Sequence, residues 1–212
     1  MNFQDLYQGF LMGIENMSIV EAIAVIFAVI SVFCAKANSV WVYPTGIVGI
    51  VFSIYIFIDT EYKLYPDAAL NLYYLIMSIY GWYFWTHTRG KATETPITYC
   101  NKKEYLWAAL IFIGLWGGLY WWLTTYNIND VPKMDSFTSA LAATGMWLLA
   151  RRKIENWLAL AVADFVDIGV YFYKRLLLFS FLNVFYVVIA ILGYIAWKKW
   201  IEKQQKYQIS LS

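Results

Sequence analysis

Long apolar runs separated by short polar or charged stretches dominate the chain. Each run is about 20 residues long, the length that an α-helix needs to cross a hydrocarbon core roughly 30 Å thick. Seven runs are predicted to span a membrane: residues 18–35, 40–58, 64–86, 105–125, 134–150, 157–173 and 176–197. The pattern therefore predicts an all-α polytopic membrane protein.

Residues 1–17 precede the first run and follow a different pattern. Phe3, Leu6, Phe10 and Ile14 recur at helical spacing, which indicates a short amphipathic helix lying on the membrane surface. A frayed terminus is the alternative interpretation. Because the segment lacks a basic region and a small-residue cleavage site, no signal peptide is expected.

Composition supports the membrane class. Hydrophobic residues make up 61% of the chain, aromatic residues 20% and charged residues only 14%. The seven helices leave no room for a separate soluble domain. The net charge of +2 comes without a basic patch in a soluble region, so no nucleic acid partner is expected.

The lysines and arginines divide unequally between alternate loops. Twelve belong to one set of loops and the C-terminal tail, and four to the other set. Since cytoplasmic loops carry the excess of basic residues, the N-terminus is predicted outside and the C-terminus in the cytoplasm. The twelve are Lys36, Arg89, Lys91, Lys102, Lys103, Arg151, Arg152, Lys153, Lys198, Lys199, Lys203 and Lys206.

An internal duplication relates the two halves of the chain. The segment NLYYLIMSIYGWYFW at 71–85 aligns with NVFYVVIAILGYIAW at 183–197 at an offset of 112 residues. Upstream, an offset of 116 residues pairs Trp41 with Trp157. On that alignment, two valines of the first repeat, Val48 and Val51, correspond to Asp164 and Asp167 of the second.

The duplication predicts how the helices are arranged. Three crossings reverse the side of the membrane, so two parallel three-helix repeats need one extra helix between them. The predicted segments are an N-terminal segment 1–17, a first repeat 18–86, a cytoplasmic linker 87–104, helix 4 with its loop 105–133, a second repeat 134–197 and a cytoplasmic tail 198–212. Transporters with internal repeats bind their substrates at the repeat interface near the midplane.

Polar and aromatic residues form one stripe on the third helix of each repeat, by the 100° rotation per residue. Facing each other, the stripes would form a cleft with aromatic walls that attract planar or cationic ligands. Interfacial belts and helix-joining hydrogen bonds are the alternative interpretations. The stripes contain Asn71, Tyr74, Ser78, Trp82 and Trp85 in the first repeat, and Asn183, Tyr186, Ala190, Tyr194 and Trp197 in the second.

Two acidic residues, Asp164 and Asp167, stand in the apolar sixth run close to the middle of the membrane. A carboxylate is costly there and is usually retained for function or pairing. One interpretation is a negative region of a path for a cationic substrate. The other is a structural hydrogen bond to a neighbouring helix.

The motifs resemble those of the PnuC family of bacterial vitamin transporters over residues 18–200. The resemblance is carried by W-x-x-W at Trp82 and Trp85, by N-x-x-Y at Asn183 and Tyr186, and by DSFTSALAATGMWLLARRKIENW at the start of the second repeat. It implies a 3+1+3 fold similar to full-length SWEET transporters, and a homotrimer in the inner membrane.

The same resemblance implies import of nicotinamide riboside by facilitated diffusion, followed by trapping through phosphorylation by a cytoplasmic kinase. Thiamine or riboflavin is the alternative substrate. Carried over by the motifs, Trp82, Trp85, Asn183 and Tyr186 would contact or gate the substrate. Asn71 and Tyr74 acquire this role by the symmetry of the repeats, and Tyr194 and Trp197 by their place in the second stripe.

Two other classes of protein share some of these features with a transporter. A substrate-binding subunit of an energy-coupling-factor transporter is also small and aromatic, but usually has six helices without this repeat. An intramembrane enzyme is disfavoured because Asp164 and Asp167 lie on one helix, whereas acid–base dyads come from separate elements. The sole histidine, His87, lies in a loop, so no catalytic residue, cofactor or metal site is expected.

Overall fold

The computed structural model describes residues 3–58, 65–87, 95–128 and 130–211. Within these ranges the chain forms eight α-helices and no strand, which confirms the all-α class. Lys63, Arg89 and Lys91, which contributed to the charge count, lie outside the described residues. The helices are α1 (Phe3–Glu15), α2 (Ile19–Lys36), α3 (Val42–Ile58), α4 (Tyr65–Thr86), α5 (Lys102–Thr125), α6 (Pro132–Ala150), α7 (Asn156–Tyr173) and α8 (Leu177–Leu211).

Three of the helices are long and apolar enough to cross a membrane by themselves, within Ile19–Lys36, Lys102–Thr125 and Leu177–Lys206. A fourth, α3, is apolar but slightly shorter. The remaining helices α4, α6 and α7 carry more polar residues, many of which are buried against other helices. In α6, for example, Ser136, Thr138 and Thr144 are all buried, so its polarity reflects a central position rather than contact with water.

The N-terminal segment forms the helix α1, which packs against the first turns of α8. The rings of Phe10 and Phe181 meet edge to face with centroids 5.3 Å apart. Gly9 lies so close to α8 that an added Cβ would be 2.5 Å from a side-chain carbon. The side chains of Phe3 and Leu6, on which the amphipathic pattern partly rested, lie outside the described residues.

Helices α2–α4 and α6–α8 are here called the first and second units. A left-handed turn follows the first helix of each unit. Asn38 has φ 56° after α2, and Arg152 has φ 54° after α6. Non-glycine residues rarely adopt this conformation, although asparagine tolerates it better than arginine. The two turns differ by 114 residues in the sequence, the difference between 38 and 152.

Packing contacts also repeat, with an offset of 114 residues for the aromatic rings and 112 residues for the glycines that lie against them. A Cβ added to Gly81 would lie 2.5 Å from the ring of Tyr43, and one added to Gly193 would lie 2.6 Å from the ring of Trp157. Tyr43, which is 2% exposed, is therefore the counterpart of Trp157, whereas Trp41 is 63% exposed. The predicted upstream offset of 116 was wrong by two residues, because it matched tryptophans by type rather than by the buried face.

Two tryptophans tie the units together reciprocally. Trp85 of α4 donates its indole N–H to the carbonyl of Leu149, near the end of α6, at 3.3 Å. Trp197 of α8 donates its indole N–H to the carbonyl of Ala35, near the end of α2, at 2.9 Å. The third helix of each unit is thus bonded to the first helix of the other unit.

Residues 95–101, here called the strap, cross this end of the bundle and pair with the turn between α6 and α7. The Thr98 N–H donates to the Arg152 carbonyl at 3.2 Å, and the Ile154 N–H donates to the Thr98 carbonyl at 3.1 Å. The Arg152 guanidinium donates to the Thr95 carbonyl and lies 4.1 Å from the centre of the Trp85 ring. Strap, turn and tryptophans form one packed end.

Candidate functional site

A cavity of about 320 Å³ lies between the helices of the two units. This volume falls at the lower end of the range of small-molecule sites, about 300–1,000 Å³. Helices α2, α3 and α4 form one wall, and α6, α7 and α8 form the other. The lining residues are Ala28, Ser31, Val32, Ala35, Val42, Tyr43, Gly46, Gly49, Ile50, Ser53, Asn71, Tyr74, Ser78, Ala142, Met146, Leu149, Asn156, Trp157, Leu160, Asp164, Tyr186 and Ala190.

The two walls of the cavity are built from equivalent positions. Each lining residue of α6 and α7 stands 114 residues after a lining residue of α2 or α3, and each one of α8 stands 112 after one of α4. The equivalent pairs are Ala28 and Ala142, Val32 and Met146, Ala35 and Leu149, Val42 and Asn156, Tyr43 and Trp157, Gly46 and Leu160, Ile50 and Asp164, Tyr74 and Tyr186, and Ser78 and Ala190. The cavity therefore lies on the pseudosymmetry axis.

Four of the predicted site residues line this cavity together: Asn71, Tyr74, Asp164 and Tyr186. Asn71 also donates its side-chain amide to the carbonyl of Asp67 at 3.0 Å, which fixes its orientation on α4. Tyr74 and Tyr186 occupy equivalent positions on α4 and α8. The structure thus brings residues from α4, α7 and α8 to one space.

Other predicted residues close the cavity at the strap end rather than line it. Trp85 and Trp197 belong to a buried cluster that also contains Tyr43 and Trp157. Trp197 is 0% exposed, and its ring meets that of Trp157 edge to face with centroids 5.7 Å apart. Tyr194 is partly buried and packs against the same cluster.

Three predicted residues lie away from the lining. Trp82 is 41% exposed and faces outward, because the aromatic stripe is wider than the face that α4 buries. Asn183 is buried and donates its side-chain amide to the carbonyl of Phe179 at 2.8 Å. Asp167 lies one turn beyond Asp164, within reach of the hydroxyl of Thr138.

Tyr43, Asn156 and Trp157 also line the cavity, although the stripes and motifs of the sequence did not predict them as site residues. The Tyr43 hydroxyl, the Asn156 amide oxygen and the Trp157 indole N–H are buried without a hydrogen-bond partner among the described residues. Buried polar atoms are normally paired, so each unpaired one calls for an explanation. The matched glycines at 81 and 193 were the available signal, because each lies against one of these rings.

The two walls differ in chemistry despite their equivalent positions. On α3 the wall presents Val42 and Ile50, where α7 presents Asn156 and Asp164. Asp164 forms no ion pair with any lysine or arginine that the structure describes. A carboxylate on one wall and aromatic rings on both can hold a planar cation, because aromatic faces attract cations and the carboxylate balances the charge.

Known proteins resemble this chain over most of its length. A family model described as nicotinamide mononucleotide transporter matches residues 18–199. The nicotinamide riboside transporters PnuC of Escherichia coli (strain K12) and Shigella flexneri are each 22% identical over 211 residues, with 87% of both chains covered. A crystal structure of the vitamin B3 transporter PnuC shares the fold at a TM-score of 0.68 and 20% identity, and the match covers 94% of this chain and 89% of that one.

Proposed function

The chain belongs to the nicotinamide mononucleotide transporter family, and on that premise we propose that it imports nicotinamide riboside. The family match covers residues 18–199, nearly the whole set of apolar helices, so the protein is a multi-pass inner-membrane transporter. Relatives named as nicotinamide riboside transporters support the choice of substrate. The N-terminus faces outward and the C-terminus faces the cytoplasm in this proposal.

The observation that carries the proposal is the cavity that contains Asp164 between equivalent tyrosines. Nicotinamide riboside is a cationic aromatic compound. Tyr74 and Tyr186 supply aromatic surface from opposite walls, and the Asp164 carboxylate supplies the opposite charge. Asn71, at the edge of the same space, is placed to bond the polar groups of the substrate.

The proposed architecture is 3+1+3, with parallel repeats α2–α4 and α6–α8 joined by α5, similar to full-length SWEET transporters. Reciprocal bonds from Trp85 and Trp197, and the matched lining of the cavity, support this arrangement. Alternating access then opens the cavity to one side at a time. Trp85, Trp197 and Tyr194 lie at the closed end, where they act as parts of a gate.

The remaining predicted residues take supporting roles in the proposal. Asn183 orients the wall of α8 through its bond to Phe179, and Asp167 adds negative potential near Asp164. Trp82 is exposed, so it contacts the substrate only after a conformational change that brings its side chain into the cavity. Transport is facilitated diffusion by a homotrimer, and a cytoplasmic kinase traps the product by phosphorylation.

Titration calorimetry of the purified protein with nicotinamide riboside, thiamine and riboflavin tests the substrate. Tight binding of nicotinamide riboside alone is the expected result. A preference for thiamine would support the same cation-binding cavity but change the substrate assignment, and Asn71 and Asp164 would be the first residues to exchange. Riboflavin is neutral and larger, so its binding would count against a role for Asp164.

Uptake into proteoliposomes that contain no other protein tests the mechanism. Uptake to equilibrium, with the nicotinamide riboside recovered unchanged by mass spectrometry, is the expected result. A requirement for added ATPase subunits would instead indicate a substrate-binding subunit of an energy-coupling-factor transporter. Recovery of a cleaved product would indicate an enzyme.

A further inference from the structure

A second concave site lies on the outer surface of the bundle, away from the central cavity. It is a groove of about 440 Å³ between the start of α5 and the end of α6. Here it is called the α5–α6 groove. Its lining residues are Asn101, Lys103, Glu104, Trp107, Ile111, Trp147 and Arg151. None of them belongs to the lining of the central cavity.

The groove changes from charged to apolar along its length. Lys103 and Arg151 stand at one end, where α5 begins and α6 has just ended. Ile111 lies eight residues further along α5, about 12 Å deeper at 1.5 Å per residue. The two tryptophans of the lining lie between these levels. This is the order of chemistry that a phospholipid presents, with a polar headgroup above and acyl chains below, and Trp is enriched at that boundary.

The positive charge of the groove is only partly compensated within the protein. Glu104 shares its carboxylate between Lys153 at 2.9 Å and Arg151 at 3.4 Å. Lys103 forms no ion pair among the described residues, and its side chain is exposed. The Arg151 side chain is 34% exposed, and its other hydrogen bond, 3.2 Å long, goes to the uncharged hydroxyl of Tyr80. The groove therefore carries a net positive charge at the headgroup level.

We propose that the α5–α6 groove binds an anionic phospholipid, whose phosphate oxygens accept hydrogen bonds from Lys103 and Arg151. The acyl chains lie along Trp107, Trp147 and Ile111. Basic pockets between membrane helices are known sites for anionic headgroups. Because α5 connects the two repeats of the proposed transporter, a lipid held here braces α5 against α6 without touching the transport path.

The test compares two neighbouring charge removals, Lys103→Gln in the groove and Lys102→Gln just outside its lining. Wild type and both variants are purified in detergent and incubated with equal amounts of phosphatidylglycerol and phosphatidylcholine. Native mass spectrometry then measures which lipids stay bound. We expect wild type and Lys102→Gln to retain phosphatidylglycerol several-fold over phosphatidylcholine, and Lys103→Gln to lose most of that preference.

Four results would overturn the proposal. The first is a wild type without preference for phosphatidylglycerol, and the second is an equal loss in both variants, which would show a diffuse charge effect. The third is a smaller oligomer for Lys103→Gln alone, which would identify the groove as a contact between copies of the chain. A thermal shift with inorganic phosphate as large as that with phosphatidylglycerol would likewise show a simple anion site instead of a lipid site.

Discussion

Helices α2–α4 and α6–α8 share the same packing contacts, here called the frame, but line the cavity with different residues. In each unit a glycine of the third helix lies against an aromatic ring of the second, and a tryptophan of the third bonds the first helix of the other unit. In the cavity, however, Ile50 and Asp164 occupy equivalent positions. The packing between helices imposes the same constraints on both units. A ligand without twofold symmetry, in contrast, is bound better when equivalent positions carry different residues. Unlike residues at equivalent positions of the cavity, such as Ile50 and Asp164, are therefore the first candidates for substrate selectivity.

The strongest test of the common frame removes its two tryptophans. Trp85→Ala and Trp197→Ala should each lower the free energy of unfolding by about 3–5 kcal/mol, the usual effect of deleting a buried tryptophan. Denaturant titration of the purified variants measures this. Trp82→Ala, at an exposed position of the same stripe, should change stability by no more than about 0.5 kcal/mol. A loss in Trp197→Ala alone would show that the units are not equivalent.

Substitutions at Gly81 and Gly193 test the same frame with a smaller expected loss of stability. Gly81→Ala and Gly193→Ala each place a methyl group within 2.6 Å of a ring, so each should cost about 1–3 kcal/mol through overpacking. Nothing lies within 4 Å of a Cβ at Gly118, which makes Gly118→Ala the matched control. In thermal denaturation, Gly118→Ala should have the melting temperature of wild type, whereas Gly81→Ala and Gly193→Ala should both have a lower one.

Substitutions at the unlike pair, Ile50 and Asp164, test whether the carboxylate contributes to substrate binding. Asp164→Ile copies the residue of the first unit and should weaken binding of nicotinamide riboside at least about tenfold, a loss of about 1.4 kcal/mol. Adding Ile50→Asp moves the carboxylate to the opposite wall and should recover part of the affinity. Titration calorimetry measures both. Normal binding by Asp164→Ile, with a lower melting temperature, would support the structural interpretation of this residue instead.

The smallest predicted effect is on the reactivity of Cys100 in the strap, which pairs with the turn between α6 and α7. Burial of the Cys100 thiol, together with its hydrogen bond to Glu155, raises the pKa of Cys100 to about 12. Since the thiolate is the reactive form, Cys100 should react slowly with maleimide at pH 8. In a Cys34→Ser background, Glu155→Gln should lower the pKa and speed labelling. An unchanged rate would mean that access, and not charge, limits the reaction.

The sequence predicted the helices better than the details of the site. Apolar runs of membrane-spanning length are a strong signal, and the all-α class followed from them. Tyr74 and Tyr186, which share one register in the two stripes, both line the cavity. Trp82 belongs to the same stripe but is 41% exposed, since periodicity alone cannot say how wide a buried face is.

The upstream alignment shows a second limit. Pairing Trp41 with Trp157 hid Tyr43 and made Asp164 the counterpart of Val48, whereas the structure pairs it with Ile50. A loop that differs in length leaves the register of the preceding helices undetermined, and residue identity is a poor guide across it. The packing of the rings against Gly81 and Gly193 resolves the register, in agreement with the matched turns at Asn38 and Arg152.

The crossed bonds of Trp85 and Trp197 couple the stability of the two halves. When one half unfolds, the other loses a hydrogen bond to a carbonyl in the last turn of a helix, together with the packing of a buried indole ring. We therefore expect unfolding to be a single cooperative transition rather than two. A chain cut between α5 and α6 would yield two fragments that are stable only as a complementary pair, which their co-purification after joint expression would reveal.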